Sequence, residues 1–451
     1  MPVPKPRMSR RRWVILALLF LITVINFIDR QTLSVLAPVI RASFHLSNSQ
    51  YGRIVSAFQF GMMSGEIPMG SIMDRLGARI GLALAVFWWS SATGAQFLAR
   101  TGVQFGLTRF WMGTGECGNF SGGVKTVTRL FSKTERTLAI GIFNSGSMVG
   151  ATVAPPLIVY LLRHYGFRAA FVVPALCGIV WLPLWWWAYR QEPEASESPS
   201  RRKCPGLKPL MFEYDYRLRP KAKALGYQPA ATPEGENPGV FKHAPESLRS
   251  MLSESSSWAV MMCRFFIGPV IQFYWYWIPS YLYSVRHMSL LQIGGLAWIP
   301  FFMGDAGGVV GGWAAGALLR RGVPVPRTRK ILMYGSSLLC ITSLCVPYAT
   351  GRGMALAMIG IAVAADNFLS ANMYGAITDL FPDHKIGRAT GLTGVAGGLS
   401  GLLFPLLTGA LVDRVSYTPV FLMVAFMPLL GTILLFVLAR RYRTFEGAVA
   451  G

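Results

Sequence analysis

The sequence predicts an all-α membrane protein of twelve transmembrane helices, arranged as two six-helix halves around a central cavity. Three observations predict it. First, the 451 residues are 53% hydrophobic and only 14% charged, where a soluble domain carries roughly a quarter of charged residues. Second, apolar runs of about 20 residues recur along nearly the whole chain, each able to cross a hydrocarbon layer roughly 30 Å thick as a helix. Third, roughly 31 of the 43 Lys and Arg fall in the termini and every second loop, against about 7 in the other loops.

The spans of the first half are 13–37, 51–73, 80–100, 104–128, 137–162 and 168–189. Those of the second half are 256–283, 290–320, 330–350, 353–379, 387–412 and 418–440. They are apolar all round rather than along one stripe, which is the pattern of a helix in lipid or wholly buried. The first run has a basic start but continues to Ala37 through Asp29 and Arg30 without a small-residue cleavage site, so it reads as a permanent helix. The first half therefore occupies 1–189 and the second 256–451. Residues 190–255 form a polar linker with too little periodic apolar content for a core. The charge bias places the linker and both termini in the cytoplasm of a multi-pass inner-membrane protein. A net charge of +23 would suit nucleic acid, but its distribution among alternate loops assigns it to the membrane surface instead. The six cysteines lack metal-type spacing and read as packing residues.

Between the second and third spans stands Gly70-Ser-Ile-Met-Asp74-Arg75-Leu-Gly77-Ala-Arg79, and in the fourth Arg109-Phe-Trp-Met-Gly113-Thr-Gly115. Both resemble elements of the major facilitator superfamily, G-x-x-x-D-R-x-G-R-[RK] and R-x-x-x-G-x-G. The resemblance implies a gate: glycines permit a tight turn, Asp74 sits against a neighbouring helix N-terminus, and Arg75 and Arg79 fasten the cytoplasmic side. The corresponding loop of the second half, Gly312 to Gly322, has Gly316 in place of the acid. Asn26-Phe-Ile-Asp29-Arg30-Gln31, Gly115-Glu116 and Phe273 to Pro279 are similar to the anion:cation symporter family, nearest its hexuronate and sugar-acid branch. Gly268 and Ser280 depart from that branch's pattern.

A charge near the bilayer centre costs at least about 2.5 kcal/mol, so each needs a partner or a wet site. Asp29, Arg30, Arg109 and Glu116 are such charges. Arg109 and Glu116 lie two turns apart on one face. Adjacent Asp29 and Arg30 point about 100° apart, so one faces the fourth span. Given the resemblance, Arg30 is assigned to a carboxylate of the substrate, through its bidentate fork, and Asp29 and Glu116 to proton coupling, balanced by Arg109. A static Arg109–Glu116 ion pair is the structural alternative. Tyr51, Gln272, Tyr274, Tyr276, Asn367 and Asn372 are candidates to contact substrate hydroxyls. Asp305 and Asp366 read as structural, with a coupling role open.

The resemblance implies proton-coupled symport of a small organic anion by a monomer, without cofactor, metal or nucleic acid. No P-loop, H-E-x-x-H or G-x-S-x-G occurs, which argues against an enzyme. A proton-drug antiporter of the same superfamily and a non-transporting membrane sensor remain the alternatives.

Overall fold

The computed structural model describes residues 10–131, 133–189 and 248–439. Most of the 190–255 segment, both termini and the arginines 440–443 lie outside the described residues. The first half comprises α1 (Arg10–Val35), α2 (Ala37–Phe44), α3 (Asn48–Ala95), α4 (Gly102–Leu130), α5 (Lys133–Tyr165) and α6 (Ala169–Ala188). After the short α7 (Leu248–Ser253) come α8 (Ser255–Ser284), α9 (Leu290–Leu296), α10 (Trp298–Arg320), α11 (Val325–Cys340), α12 (Arg352–Leu380), α13 (Asp383–Arg414) and α14 (Thr418–Leu438). No strand occurs among the described residues.

α3 is two spans in one run of helix. At Gly77 the backbone turns to φ 76°, ψ 163°, a conformation that a side chain disfavours, and the chain reverses from limb 48–76 to limb 78–95. Counting those limbs separately and α9 with α10, the described residues contain twelve spans, six per half. Seven are long and apolar enough to cross a membrane by length and composition alone. The others are shorter or dense in Gly, Tyr, Ser and charge, as α4 is with Arg109, Glu116 and Lys125.

One span is interrupted where the sequence predicted continuous helix, and one is extended beyond its predicted end. The first run ends near Leu36 as expected, but a short further helix, α2, follows it with Pro38 in its opening turn, where proline has no N–H to continue the ladder of α1. The eighth breaks at Ala297, between α9 and α10. We call the end of the bundle where α1 begins and α14 ends basal, and the opposite end distal. Three helices starting distally are capped locally: Ser47 with Gln50 and Ser289 with Gln292 form capping boxes, and Thr101 accepts from the Gln104 amide.

Close packing orders each half. Gly61 and Gly113 bring α3 and α4 into backbone contact, since a Cβ on either would collide with main-chain atoms of Phe110 or Phe58. Large apolar side chains cover the outside, among them Ile67, 81% exposed, and Val103, Trp187 and Trp313, as a hydrocarbon surrounding requires.

Among the described residues, the hydrogen bonds joining the halves all lie distally. Asp413 accepts from Asn48 and Ser49 at 2.6–2.9 Å. Tyr51 donates to the Tyr276 carbonyl at 2.8 Å, Ser56 to that of Leu402 at 2.8 Å, and Ser34 to that of Trp275. Toward the basal end of α5 and α13, a side chain added at Gly141, Gly391 or Gly394 would meet nothing within 4 Å. The halves are therefore joined at the distal end of the cleft, while these glycines leave α5 and α13 without close neighbours basally.

Candidate substrate and coupling site

α1 and α4 meet near mid-depth at four charges. Arg30 Nε donates to Glu116 Oε2 at 2.5 Å. The Glu116 side chain is wholly buried, whereas that of Arg30 keeps 19% of its surface open. The guanidinium lies over Phe27 and Phe58, 5.1 and 5.6 Å from the ring centroids, and reaches Met62 Sδ at 3.8 Å. One face of the cation thus rests on aromatic quadrupoles, and one carboxylate oxygen holds it in place.

Arg109 is almost fully buried. It donates to the Asp29 carbonyl at 3.5 Å and to Met112 Sδ at 3.4 Å. Both carboxyl oxygens of Asp29, Oε1 of Glu116 and Nε of Arg109 are buried without a hydrogen-bond partner. The ion pair considered between Arg109 and Glu116 is not the one formed. Two turns of helix separate their Cα atoms by roughly 10 Å, and Glu116 turns to Arg30 across the helix interface instead.

The remaining candidates divide by direction. The Tyr276 backbone accepts from Tyr51, and the Tyr51 ring packs edge-on against Trp277 at 5.1 Å, so Tyr51 roofs the cleft. Gln272 lies beside Gly401 with Gln59 of the opposite half, and its Oε1 lacks a partner. Tyr274 points away from the other half, its hydroxyl 2.6 Å from that of Ser343. Asn367 faces Gly304 on α10. Asn372 bonds the Gly311 and Phe368 carbonyls and accepts from Arg329 Nη1 at 3.2 Å. The structure therefore brings Asp29, Arg30, Arg109 and Glu116 together below Tyr51 and Tyr276, and leaves Tyr274 and Asn372 inside the second half.

The gating residues lie at the basal turn. Asp74 pairs with Lys125 Nζ at 2.7 Å rather than with a helix N-terminus, and Lys125 also reaches the Met73 carbonyl at 2.6 Å. Arg79 stacks on Trp186 at 4.2 Å and donates to its carbonyl at 3.1 Å. It therefore holds α6 of its own half, not the opposite half. Arg75 is exposed, and Gly70 borders open space. In the second half, where the acid is missing, Arg329 pairs with Asp379 at 2.8 Å. Sequence reasoning passed over Arg329 and Asp413. The first is hidden in a run of basic residues, and the second lies one residue past a span boundary.

A two-half helical bundle with charged groups buried at the junction of the first and fourth spans is the architecture of a membrane transporter. The chain belongs to the Major Facilitator Superfamily, whose sequence profile matches residues 19–365 and 327–450. It is 26% identical to a hexuronate transporter of Escherichia coli K12 over 438 residues, covering 97% of this chain and 96% of that one. It is also 26% identical to a D-galactonate transporter of Escherichia coli O6:H1 over 436 residues, 96% of each chain. A probable galactarate/D-glucarate transporter of Bacillus subtilis shares 27% over 424 residues, 91% of this chain and 88% of the other. Among solved structures, a bacterial homologue of the human lysosomal transporter Spinster in an inward-facing, unoccupied conformation superposes with a TM-score of 0.69 at 18% identity, covering 96% of both chains. The fold is that of the superfamily, and the chain is a multi-pass membrane transporter, not an enzyme.

Proposed function

We propose that the protein carries a small organic anion, a sugar acid such as a hexuronate or aldonate, together with a proton, by alternating access between the halves 1–189 and 256–451. One observation carries the reading: Arg30 is the partly open member of the buried quartet, and its partner is Glu116. A substrate carboxylate entering the cleft competes for that guanidinium, which matches it bidentately. Once displaced, Glu116 is a carboxylate without a counter-ion in a dry site, a state costly enough that it binds a proton. Anion and proton then load together, and the charge to be buried while the halves rock is lower than for either alone. Asp29, also unpartnered, is the second carrier in this scheme, and Arg109 compensates both. The sugar-acid names of the relatives support the substrate class. Gln272 and Tyr276 supply the polar contacts in this reading.

The basic loops set the orientation. Arg75, Arg79, Arg136, Arg320, Arg321, Lys385 and Arg388 belong to the basal side, which we assign to the cytoplasm of an inner membrane, with both termini. The protein works as a monomer in this reading.

The test is transport by Glu116→Gln in proteoliposomes. Exchange of labelled for unlabelled uronate should persist while accumulation driven by a pH gradient disappears. Normal uphill accumulation by this variant sinks the coupling scheme. Binding of uronates without uptake by the unaltered protein would instead mark a sensor.

A further inference from the structure

The second half contains an acid that the scheme above does not use. Asp366, midway along α12, is 0% exposed, and both of its carboxyl oxygens are buried without a hydrogen-bond partner. Its own helix surrounds it with buried Ala362, Val363, Ala365 and Leu369. Of the helices packed against α12, α8 brings Tyr274 and Arg264, α11 brings Cys340, and α10 carries Asp305. Cys340 contacts the Ala362 carbonyl at 3.9 Å, one turn from Asp366. Tyr274 and the Ser343 hydroxyl satisfy each other. Among the described residues Arg264 is the one cation whose charge reaches it, and the two make no ion pair; the Arg264 guanidinium lies by Gly397 and 5.8 Å from the Tyr374 ring.

An ionised carboxylate in such a place would have neither counter-ion nor donor. Dry protein at mid-membrane tolerates a neutral acid far better than that charge. Among the described residues no cluster of three or more His, Cys, Asp or Glu surrounds it to hold a metal ion, and a single carboxylate is a poor cage for a hard cation that takes several oxygens. The seam is also not static in principle. α8 contains Pro269 and Pro279, each of which removes one rung of the helical ladder and permits bending.

We infer that Asp366 is a second proton-binding site, located in the C-terminal half, which holds its proton while the cleft is closed distally and releases it when the α8–α12 seam rearranges. Its part in coupling rests on the symport reading; its being a neutral acid does not. The proton is taken from water in the cleft and returned to water on the other side, so no further reactant enters the balance.

Two measurements on the full chain in lipid test this. Infrared spectra at neutral pH should contain a protonated-carboxyl carbonyl band that Asp366→Asn removes; Asp366→Glu, as a second variant, should move the band rather than abolish it. Identical spectra in that region for the unaltered protein and both variants would mean that Asp366 is ionised, and would overturn the inference. The number of protons moved per anion is then read from the pH gradient that just balances a fixed anion gradient, a zero-flux condition insensitive to turnover rate. Asp366→Asn should lower it by a whole proton. A band that disappears with an unchanged, non-zero ratio shows a proton that never leaves, and sinks the coupling role alone. A ratio of zero in the unaltered protein sinks the symport reading itself.

Discussion

Asp413, in the last turn of α13, grips Ser49, in the first turn of α3, through two hydrogen bonds to one oxygen: 2.7 Å from the Ser49 amide and 2.6 Å from its hydroxyl. Its other oxygen accepts two more from Asn48. The carboxylate thereby caps a helix N-terminus belonging to the other half, where free N–H groups and the helix dipole favour an anion.

Asp413→Asn keeps the shape but loses the charge and part of the acceptor capacity. Discounted for solvent exposure, the loss is about 1 kcal/mol, roughly a fivefold shift toward the distally open state. Distances between spin labels at Arg100 and Thr350, both exposed in distal loops, should acquire a longer component. An unaltered distribution refutes the clasp.

Replacing Arg30 by Lys retains a cation but not a planar fork. Affinity for uronate should fall at least about tenfold, or roughly 1.4 kcal/mol, in thermal-shift titrations, while the protein stays folded. Equal affinity in the Lys variant would remove Arg30 from the binding site.

Asp29→Asn is isosteric with a neutral acid and breaks no hydrogen bond, because the carboxyl makes none. The melting temperature should be unchanged or raised, with uphill uptake impaired. A large drop in melting temperature would show Asp29 to be a charged structural anchor.

Arg329 and Asp379 form a largely buried pair in the second half. Arg329→Met takes the guanidinium away from Asp379 and from the Asn372 amide oxygen, with an expected loss of about 2 kcal/mol. Adding Asp379→Leu should recover most of it, as apolar replacements of whole buried pairs do. Denaturation in detergent distinguishes this from additive losses.

The spans were legible because hydrocarbon sets their length, and the charged quartet because lipid excludes such residues. Which charge meets which was not. Arg30 and Arg109 both lie within reach of Glu116 in sequence terms, and only the packing of α1 on α4 decides for Arg30. Tyr274 and Asn372 read as cleft residues for a related reason: sequence marks them as polar within a span, but the face they occupy follows from neighbours remote in the chain. Nothing local distinguishes Asp413 from other chain-end carboxylates. Lys125 and Asp74 lie 51 residues apart, and their pairing depends on the reversal at Gly77.

The roof over the cleft has one more implication. Tyr51 uses its hydroxyl on the Tyr276 carbonyl, directly above the charges at Arg30. A polyol reaching that depth brings hydroxyl groups that seek the same acceptor. On the sugar-acid reading proposed above, cargo and bolt would contend for one oxygen, so a passenger rich in hydroxyls would loosen the lock that an apolar visitor would leave shut.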